Sequence, residues 1–503
     1  MRITAKHLDQ RTPTQKSEET SEQHRIGRPL TRLMRSRQLI KKVFWSQSTL
    51  LASLVMVLPL VFSCASGTTA TSSPSKLLSK HVTDRFGTPP STPTGPLSSR
   101  ASKAVEVVFG STLEGSTWGP EQTLALETIS SSKDPRLAWL ISDLMRFAGQ
   151  NELGVLLADS ITKLLNITFK DGSKWGTTTD HLIAWDIPAP PNYLKYKRKI
   201  FTNLIPGWEK IFVKGDIDWR HVSWGGVPID DRAYDTTDKA CNCIPAADNP
   251  KVTPANETTW LGDDDIVFGI VVNGEARAYP RQIMEVREMV NDTLGGRDLA
   301  IPYCTLCGAA QAYYTDKLPK GVKRPILRTS GLLIRSNKVM YDVNTYSVFD
   351  TFLGTAVTGP LAKKKIKLKQ ANVVTTDWGT WKKEHPDTTV LIEELALGRN
   401  FDFRNGRDAK GPIFPVGDVD PRLPVHEDII GVITKSGKPI AFQRSEAYLA
   451  LKRGKKVSYE NIELALDAGG VKAITKDGKD AGSHQAFWFA WSQFHPTTKL
   501  WTK

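Results

Sequence analysis

Three different spacings of apolar residues divide the chain. Between about 120 and 166 the spacing is helical: Leu137, Leu140, Ile141 and Leu144 fall at i, i+3, i+4 and i+7 behind Asp134-Pro135, an N-cap followed by a first-turn proline. A second helix is expected from about Glu152 to Leu165. From Asp265 onward the spacing drops to that of short strands. Val267 to Val272, Asn273-Gly274 and Ala276 to Tyr279 predict two strands around a hairpin turn. Pro280 then opens a helix with Ile283, Met284, Val286 and Val290 on its apolar side. Residues 171–262 follow neither rule. There Trp175, Trp185, Trp208, Trp219, Trp224 and Trp260 are interleaved with prolines, the pattern of an irregular segment that wraps another domain and buries its rings in a core.

The strand pattern occurs twice. DIVFGIVVNGEARAYPRQIM from Asp265 is echoed by DIIGVITKSGKPIAFQRSEAYL from Asp428. Each copy is followed by Trp-x3-His-Pro-x-Thr, as Trp381, His385, Pro386 and Thr388 and again as Trp491, His495, Pro496 and Thr498. Two paired matches in the same order predict an α+β fold, a strand-rich tandem-repeat domain of two similar halves preceded by a small helical segment. The expected order is a helical segment at 101–170, the wrapping segment at 171–262, a first repeat at 263–427 and a second, shorter repeat at 428–503.

One apolar run is of another kind. Residues 50–63, LLASLVMVLPLVFS, carry no charge, follow Arg35, Arg37, Lys41 and Lys42, and end at Cys64. The run is shorter than the roughly 20 residues of a spanning helix, and its order of basic, apolar and small residues is that of an export signal. Val61-Phe62-Ser63-Cys64 resembles a bacterial lipoprotein box, in which the signal is cut before the cysteine and the thiol is lipidated. An uncleaved single-pass anchor and ordinary secretion are the alternatives. All three export the body of the protein, and the first two anchor it to a membrane on the extracytoplasmic side. Residues 1–63 are thus leader and signal, which a start at Met34 would bring to ordinary length, and 64–100, rich in Ser, Thr and Pro, form a flexible tether.

This address changes the meaning of the charge. The formal excess is +14, from 67 basic and 53 acidic residues, but the first 50 residues hold eleven basic and four acidic side chains. Half of the excess therefore belongs to the leader, and what remains gives no argument for a nucleic-acid partner. Forty per cent hydrophobic and 24% charged residues exclude a disordered or polytopic membrane protein. Lys363-Lys364-Lys365 with Lys367 and Lys369 reads as a solvated strand-edge guard.

Five cysteines are too few for a disulfide-built scaffold. Cys304-Thr305-Leu306-Cys307 lies between two strand-like runs, and two thiols three positions apart allow one to attack and the other to resolve. A permanent disulfide and half of a metal site are the competing readings. No helix pattern starts at the motif, which speaks against a thioredoxin-like arrangement. A disulfide between Cys241 and Cys243 would be strained, so these thiols are expected to bond elsewhere, bind a metal or act as a high-potential couple. Cys241, Cys243, Cys304 and Cys307 together make a four-sulfur site for which zinc is the default ion; otherwise no cofactor is expected. His385 and His495 precede prolines at equivalent places and read as structural, while His181, His221, His426 and His484 show no metal spacing. No P-loop, nucleophile elbow, dinucleotide fingerprint or zincin motif is present.

IPYCTLCGAAQAYY at 301–314, with NGEARAYP before it and SGLL, MYD and WKKEHPDTTVL after it, resembles the bacterial family called domain of unknown function 3179 over about Asp265 to Trp501. CNCIPA and the helical segment before it look like an extension carried by a subgroup. Some members of the family are selenoproteins with selenocysteine in the Cys-x-x-Cys motif, so the resemblance implies redox chemistry at Cys304 and Cys307. It also marks Arg277, Asn291, Asp292, Ser330, Gly331 and Asp342 as site neighbours. Where many relatives have Trp-His-Glu, this chain has Val286-Arg287-Glu288. The expected function is a cell-envelope lipoprotein and thiol oxidoreductase, Cys304 attacking and Cys307 resolving, with a redox partner or small ligand. A lipoprotein that binds a ligand or partner, with structural cysteines, and a four-cysteine metalloprotein are the alternatives.

Overall fold

Capping side chains set where the helices begin. In the computed structural model, which describes residues 74–502 apart from 112–117, 171, 237–238 and 393–410, the Asp134 carboxylate accepts the Arg136 N–H and opens a 3-10 turn leading into helix Ala138–Ala148. Asn151 caps Glu152–Leu165 through the Gly154 N–H, and Ser173 caps Lys174–Ala184 through the Gly176 N–H. Helices Ser99–Val105, Pro120–Ser131 and Tyr193–Leu204 complete the layer. Its core takes in Trp139, Leu140, Leu157 and Ile161 and continues into Leu332, Tyr341 and Val348 of a neighbouring sheet. Inside it Lys197, fully buried, is held by Asp143 at 2.5 Å.

Three expectations are corrected here. The leader, Cys64 and residues 64–73 lie outside the described residues, but the tether's later part, Pro74–Phe86, is helical. It is tied down by His81 Nδ1 at 2.7 Å from Asp418 Oδ1 and by Phe86 edge-on to His181. Residues 171–262 are not irregular throughout, since two helices stand at 174–184 and 193–204. In the second, Tyr193, Tyr196, Lys197, Ile200 and Phe201 form a buried stripe, whose helical spacing is hidden by a buried lysine and by aromatic and basic residues. Trp208, Trp219 and Trp224 do enter the core, whereas Trp260 is exposed. The helix after Pro280 stops at Arg287, and Val290 belongs to the next strand. No helix among the described residues is long and apolar enough to cross a membrane.

The rest is strand-rich, five small sheets set in a propeller-like ring. Two of them share one plan. In the first, Ile266–Val272 and Glu275–Pro280 form an antiparallel hairpin, Val374–Asp377 flanks the first strand antiparallel, and Thr389–Leu391 runs parallel to the second. Asn273 and Gly274, at φ of 50° and 87°, make its turn. In the second sheet Asp428–Ile433, Pro439–Gln443, Ser483–Phe487 and Lys499–Trp501 take the same places with the same directions. Each flanking strand runs into a seven-residue helix, Trp378–Glu384 or Trp488–Phe494. The indoles of Trp381 and Trp491 lie on Gly269 and Gly431, where an added Cβ would stand 2.1 Å and 2.2 Å from the ring. Trp381 Nε1 donates to Thr388 Oγ1 at 3.0 Å and Trp491 Nε1 to Thr498 Oγ1 at 2.8 Å. His385 and His495 each lie 4.1 Å from the tryptophan ring.

The remaining sheets are inserted into these two. Between Pro280 and Val374 the chain builds one sheet around Met289–Leu294 and Arg297–Cys304 and another around Leu327–Ile334 and Asn337–Asp342, the latter packed on the helices. Between Gln443 and Ser483 it adds helix Arg444–Lys452 and a three-stranded sheet. That insertion returns to the first sheet, where Thr376 Oγ1 donates to Ala468 O.

Gly269→Ala and Gly431→Ala should each destabilise the protein by about 1–3 kcal/mol, as overpacking does. Urea midpoints measure this, and an unshifted midpoint in either would mean that the indole yields. Burial also drives His484 down to about 3 and His495 to about 4. Both are neutral in the folded protein and gain protons more readily unfolded, near pH 6.5. Stability from this source is complete above about pH 6.5 and is lost as pH falls toward 4 and 3. The urea midpoint should fall over that window, and less so in His495→Phe.

Candidate functional site

Strand Arg297–Cys304 ends at the first thiol, and the chain turns back at once, with Cys304 paired to Ala309 and Tyr303 to Ala310. Cys307 N–H donates to Cys304 O at 3.1 Å, so the motif is a hairpin turn rather than the start of a helix. Gly308 completes it at φ 59°. The second tryptophan-bearing sheet clamps this turn: Phe487 N–H donates to Cys307 O at 2.9 Å, and a Cβ on Gly308 would meet the Phe487 ring at 3.0 Å. Both cysteines remain thiols and are buried, at 3% and 0% exposure.

Their polar surroundings come from two other elements. Cys304 Sγ and Cys307 Sγ lie 3.3 Å and 3.5 Å from the same acceptor, Ser336 O, and Cys307 Sγ lies 3.9 Å from Asn337 Oδ1. Glu288, in the left-handed region at φ 52°, ends helix Arg281–Arg287 and accepts Tyr303 N–H on its carbonyl. Its carboxylate pairs with the Lys338 ammonium and stands 3.5 Å from Thr305 Oγ1. Burial pushes Glu288 above the usual carboxylate range, and Lys338 partly opposes that. Burial likewise pushes the Cys304 thiol up, but the hydrogen bond from Cys307 and the Lys338 charge outweigh it, leaving Cys304 below its ordinary value. An ordinary buried cysteine would be shifted the other way.

A small pocket of about 20 Å³ lies beside the ion pair, lined by Glu288, Lys338, Ser330, Gly331, Thr329 and Ile244 among others. That is room for about one water molecule, far below the roughly 300–1,000 Å³ of most small-molecule sites. Its floor is a bulge between Thr329 and Leu332. Gly331 sits there at φ 74°, where a Cβ would strike Val227 O at 2.3 Å.

The expected site neighbours divide. Ser330 and Gly331 line the cleft. Arg277 and Asp292 instead form a buried pair at 2.7 Å, shared with Tyr279 OH at 2.7 Å. Asn291 donates to Asp248, which is locked by the fully buried Arg328. Asp342 closes a turn by accepting Ile326 N–H and Thr345 N–H. Arg277, Asp292 and Asn291 thus join sheet to sheet, and Asp342 holds a turn.

For the second cysteine pair, bonding elsewhere is overturned. Cys241 and Cys243 are bonded to each other, their Cα atoms 5.1 Å apart, so no cross-link pins this segment to the strands that follow. The four sulfurs are not gathered as a zinc site. Among the described residues the metal-type cluster found is Asp230, Cys241 and Cys243, and it does not fit an ion. Its sulfurs are already bonded, and the Asp230 oxygens accept from Arg232 and from Ala246 N–H.

Sequence reasoning did not single out Lys338 or Ser336 and mentioned Glu288 only as part of a departure from relatives. Lys338 looks like any lysine on a hairpin, and only the paired register of Leu333 and Lys338 brings it inward. The whole is a strand-rich protein carrying an inner dithiol beside a buried ion pair. Residues 241–483 match the family model described as Protein of unknown function (DUF3179), and that part of the chain belongs to the family. The match begins at Cys241, so CNCIPA falls within the family's span rather than in an extension before it. No curated protein and no solved structure matches the chain.

Lys338→Met should raise the Cys304 pKa by removing the cation that favours its thiolate. Glu288→Gln should lower it by removing the opposing anion. Thiolate ultraviolet absorbance against pH in the reduced protein checks both. A midpoint unmoved in both variants would show that the pair has no electrostatic hold on the thiol.

Proposed function

We propose that the protein is an exported, membrane-anchored thiol oxidoreductase of the cell envelope in which Cys304 and Cys307 alternate between dithiol and disulfide, Cys304 attacking and Cys307 resolving. The observation that carries this reading is the shared setting of the two sulfurs. They converge on one carbonyl, Ser336 O, next to the buried Glu288–Lys338 pair at the edge of a cleft. A thiol that only fills a core needs neither a neighbouring thiol nor a cation. A lipid on Cys64, or an uncleaved anchor, ties the protein to the membrane, and its partner is a thiol or disulfide compound rather than nucleic acid.

We infer further that the two tryptophan-bearing sheets are copies of one unit, and that the Cys-x-x-Cys turn belongs to material inserted into the first copy alone. Common strand order, common glycine–tryptophan contacts and common histidine turns support this. The second functional reading, a binding lipoprotein with inert cysteines, draws on the burial of both thiols in an apolar cluster with Phe352, Phe487 and Trp491.

The two readings part in one experiment. Intact mass after alkylation, across a series of dithiol redox buffers, should show Cys304 and Cys307 gaining and losing one disulfide reversibly, and Cys304→Ser should abolish the transition. Thiols that stay reduced throughout the series would leave the binding reading. Stoichiometric zinc in the same sample would overturn both.

A further inference from the structure

Burial raises a difficulty for any thiol chemistry at Cys304 and Cys307: an external disulfide cannot reach sulfurs that are 3% and 0% exposed. The other cysteine pair resolves it. Cys241 is half-buried and Asn242 exposed, while Cys243 faces inward and is buried. Ile244, the residue after Cys243, lines the same cleft as Glu288 and Lys338, the pair beside Cys304. Thr329 Oγ1 fixes that wall by donating to Ile244 O at 2.7 Å. Each pair of cysteines therefore has a neighbour in the lining of one small pocket, Ile244 for the outer, bonded pair and Glu288 with Lys338 for the inner, reduced one.

We propose that the two pairs form a relay across this cleft, with Cys241–Cys243 as its outward port. The proposal rests on the redox reading of Cys304 and Cys307. The Cys304 thiolate attacks Cys243 Sγ, the Cys241–Cys243 bond breaks, and Cys241 leaves as a thiolate that takes up a proton. Cys307 loses its proton and attacks Cys304 Sγ, closing Cys304–Cys307 and releasing Cys243 as a thiolate, which is protonated in turn. Two electrons and two protons pass from the inner pair to the outer, and no other reactant enters. An external low-molecular-weight disulfide then reoxidises the outer pair, taking up the same two electrons and two protons as it becomes two thiols.

Cys304 does not join the group of Asp230, Cys241 and Cys243, whose ligand atoms lie within 4.8 Å of one another, so the loop carrying Cys241 and Cys243 must swing toward it. It is built as a unit that can do so. Arg232 holds its two ends, donating to Lys239 O at 2.7 Å and to Ala246 O at 2.8 Å, and Asp230 anchors Arg232. Between those ends Ile244 O is tied to Thr329 Oγ1, and the swing must break that bond.

The test is the full-length Cys307→Ser protein, in which the attack is not resolved. After acid quench, alkylation and non-reducing proteolysis, a peptide joining Cys304 to Cys243 should appear, and the alkylated thiol should be Cys241 rather than Cys304. A thiol that stays on Cys304, with no such peptide, overturns the relay if wild-type Cys304 and Cys307 still titrate; if they do not titrate, the redox reading falls as well. The Cys241→Ser/Cys243→Ser double variant guards against misfolding of the first. Oxidation of its inner pair by oxidised glutathione should slow at least tenfold, and an unchanged rate overturns the port.

Discussion

An indole lying flat on a glycine is the contact on which the rest of the sheet assembly depends. At Gly269 and again at Gly431 a strand gives up its side chain so that a tryptophan can lie against the backbone. The ring's N–H is satisfied by a threonine seven residues further on. The cost of two glycines inside strands is offset by burying two of the largest side chains in the protein. The consequence reaches the thiols. Trp491 seats helix Trp488–Phe494, and the residue just before that helix, Phe487, donates its N–H to Cys307 O and packs against Gly308. The Cys-x-x-Cys turn is therefore held by a contact more than a hundred residues away in sequence, with no covalent tie.

The Glu288–Lys338 pair follows a different logic. Removing two charges from water is expensive, and such a pair contributes little net stability, although losing one partner costs about 3–5 kcal/mol. Its placement beside Cys304 is better understood through charge than through stability. In a low-dielectric setting the hydrogen bond from Cys307, with the Lys338 ammonium behind it, reverses the effect of burial on Cys304, and the adjacent carboxylate limits how far that reversal goes. Arg277–Asp292 and Arg328–Asp248 are equally buried but touch no thiol and join sheet to sheet. Three buried ion pairs thus serve two purposes, and geometry alone tells them apart.

What could be read from sequence was whatever depends on neighbours along the chain. Asn273-Gly274 demands a tight turn, Asp134-Pro135 a helix start, and the absence of a helix pattern at Cys304 was visible and holds in the hairpin turn found there. The doubled Trp-x3-His-Pro-x-Thr motif marked residues that make matching contacts, because both tryptophan and threonine lie within one turn-and-strand unit. What failed depends on register or on long separations. Helix 193–204 was obscured because its buried stripe contains Tyr193, Tyr196 and Lys197, and the lysine is admissible only because Asp143, on another helix, receives it. The Cys241–Cys243 bond stood as one of three alternatives because average geometry makes it strained, and the local chain brings the two Cα atoms to 5.1 Å. Lys338 turned inward only through pairing between strands.

The division of labour between the two tryptophan-bearing sheets follows from where their chains are interrupted. Each sheet leaves a gap between its hairpin and its flanking strand, and a gap of this kind admits extra chain because its ends are already fixed by pairing. The first gap holds the thiols, the ion pair and the cleft floor; the second holds a small sheet that packs back on Thr376 of the first. Chemistry and support are thus separated in sequence but meet at Phe487. A thiol turn placed on a free loop would lose its setting whenever the loop moved. Here the turn is gripped by one sheet and faces charges from a second.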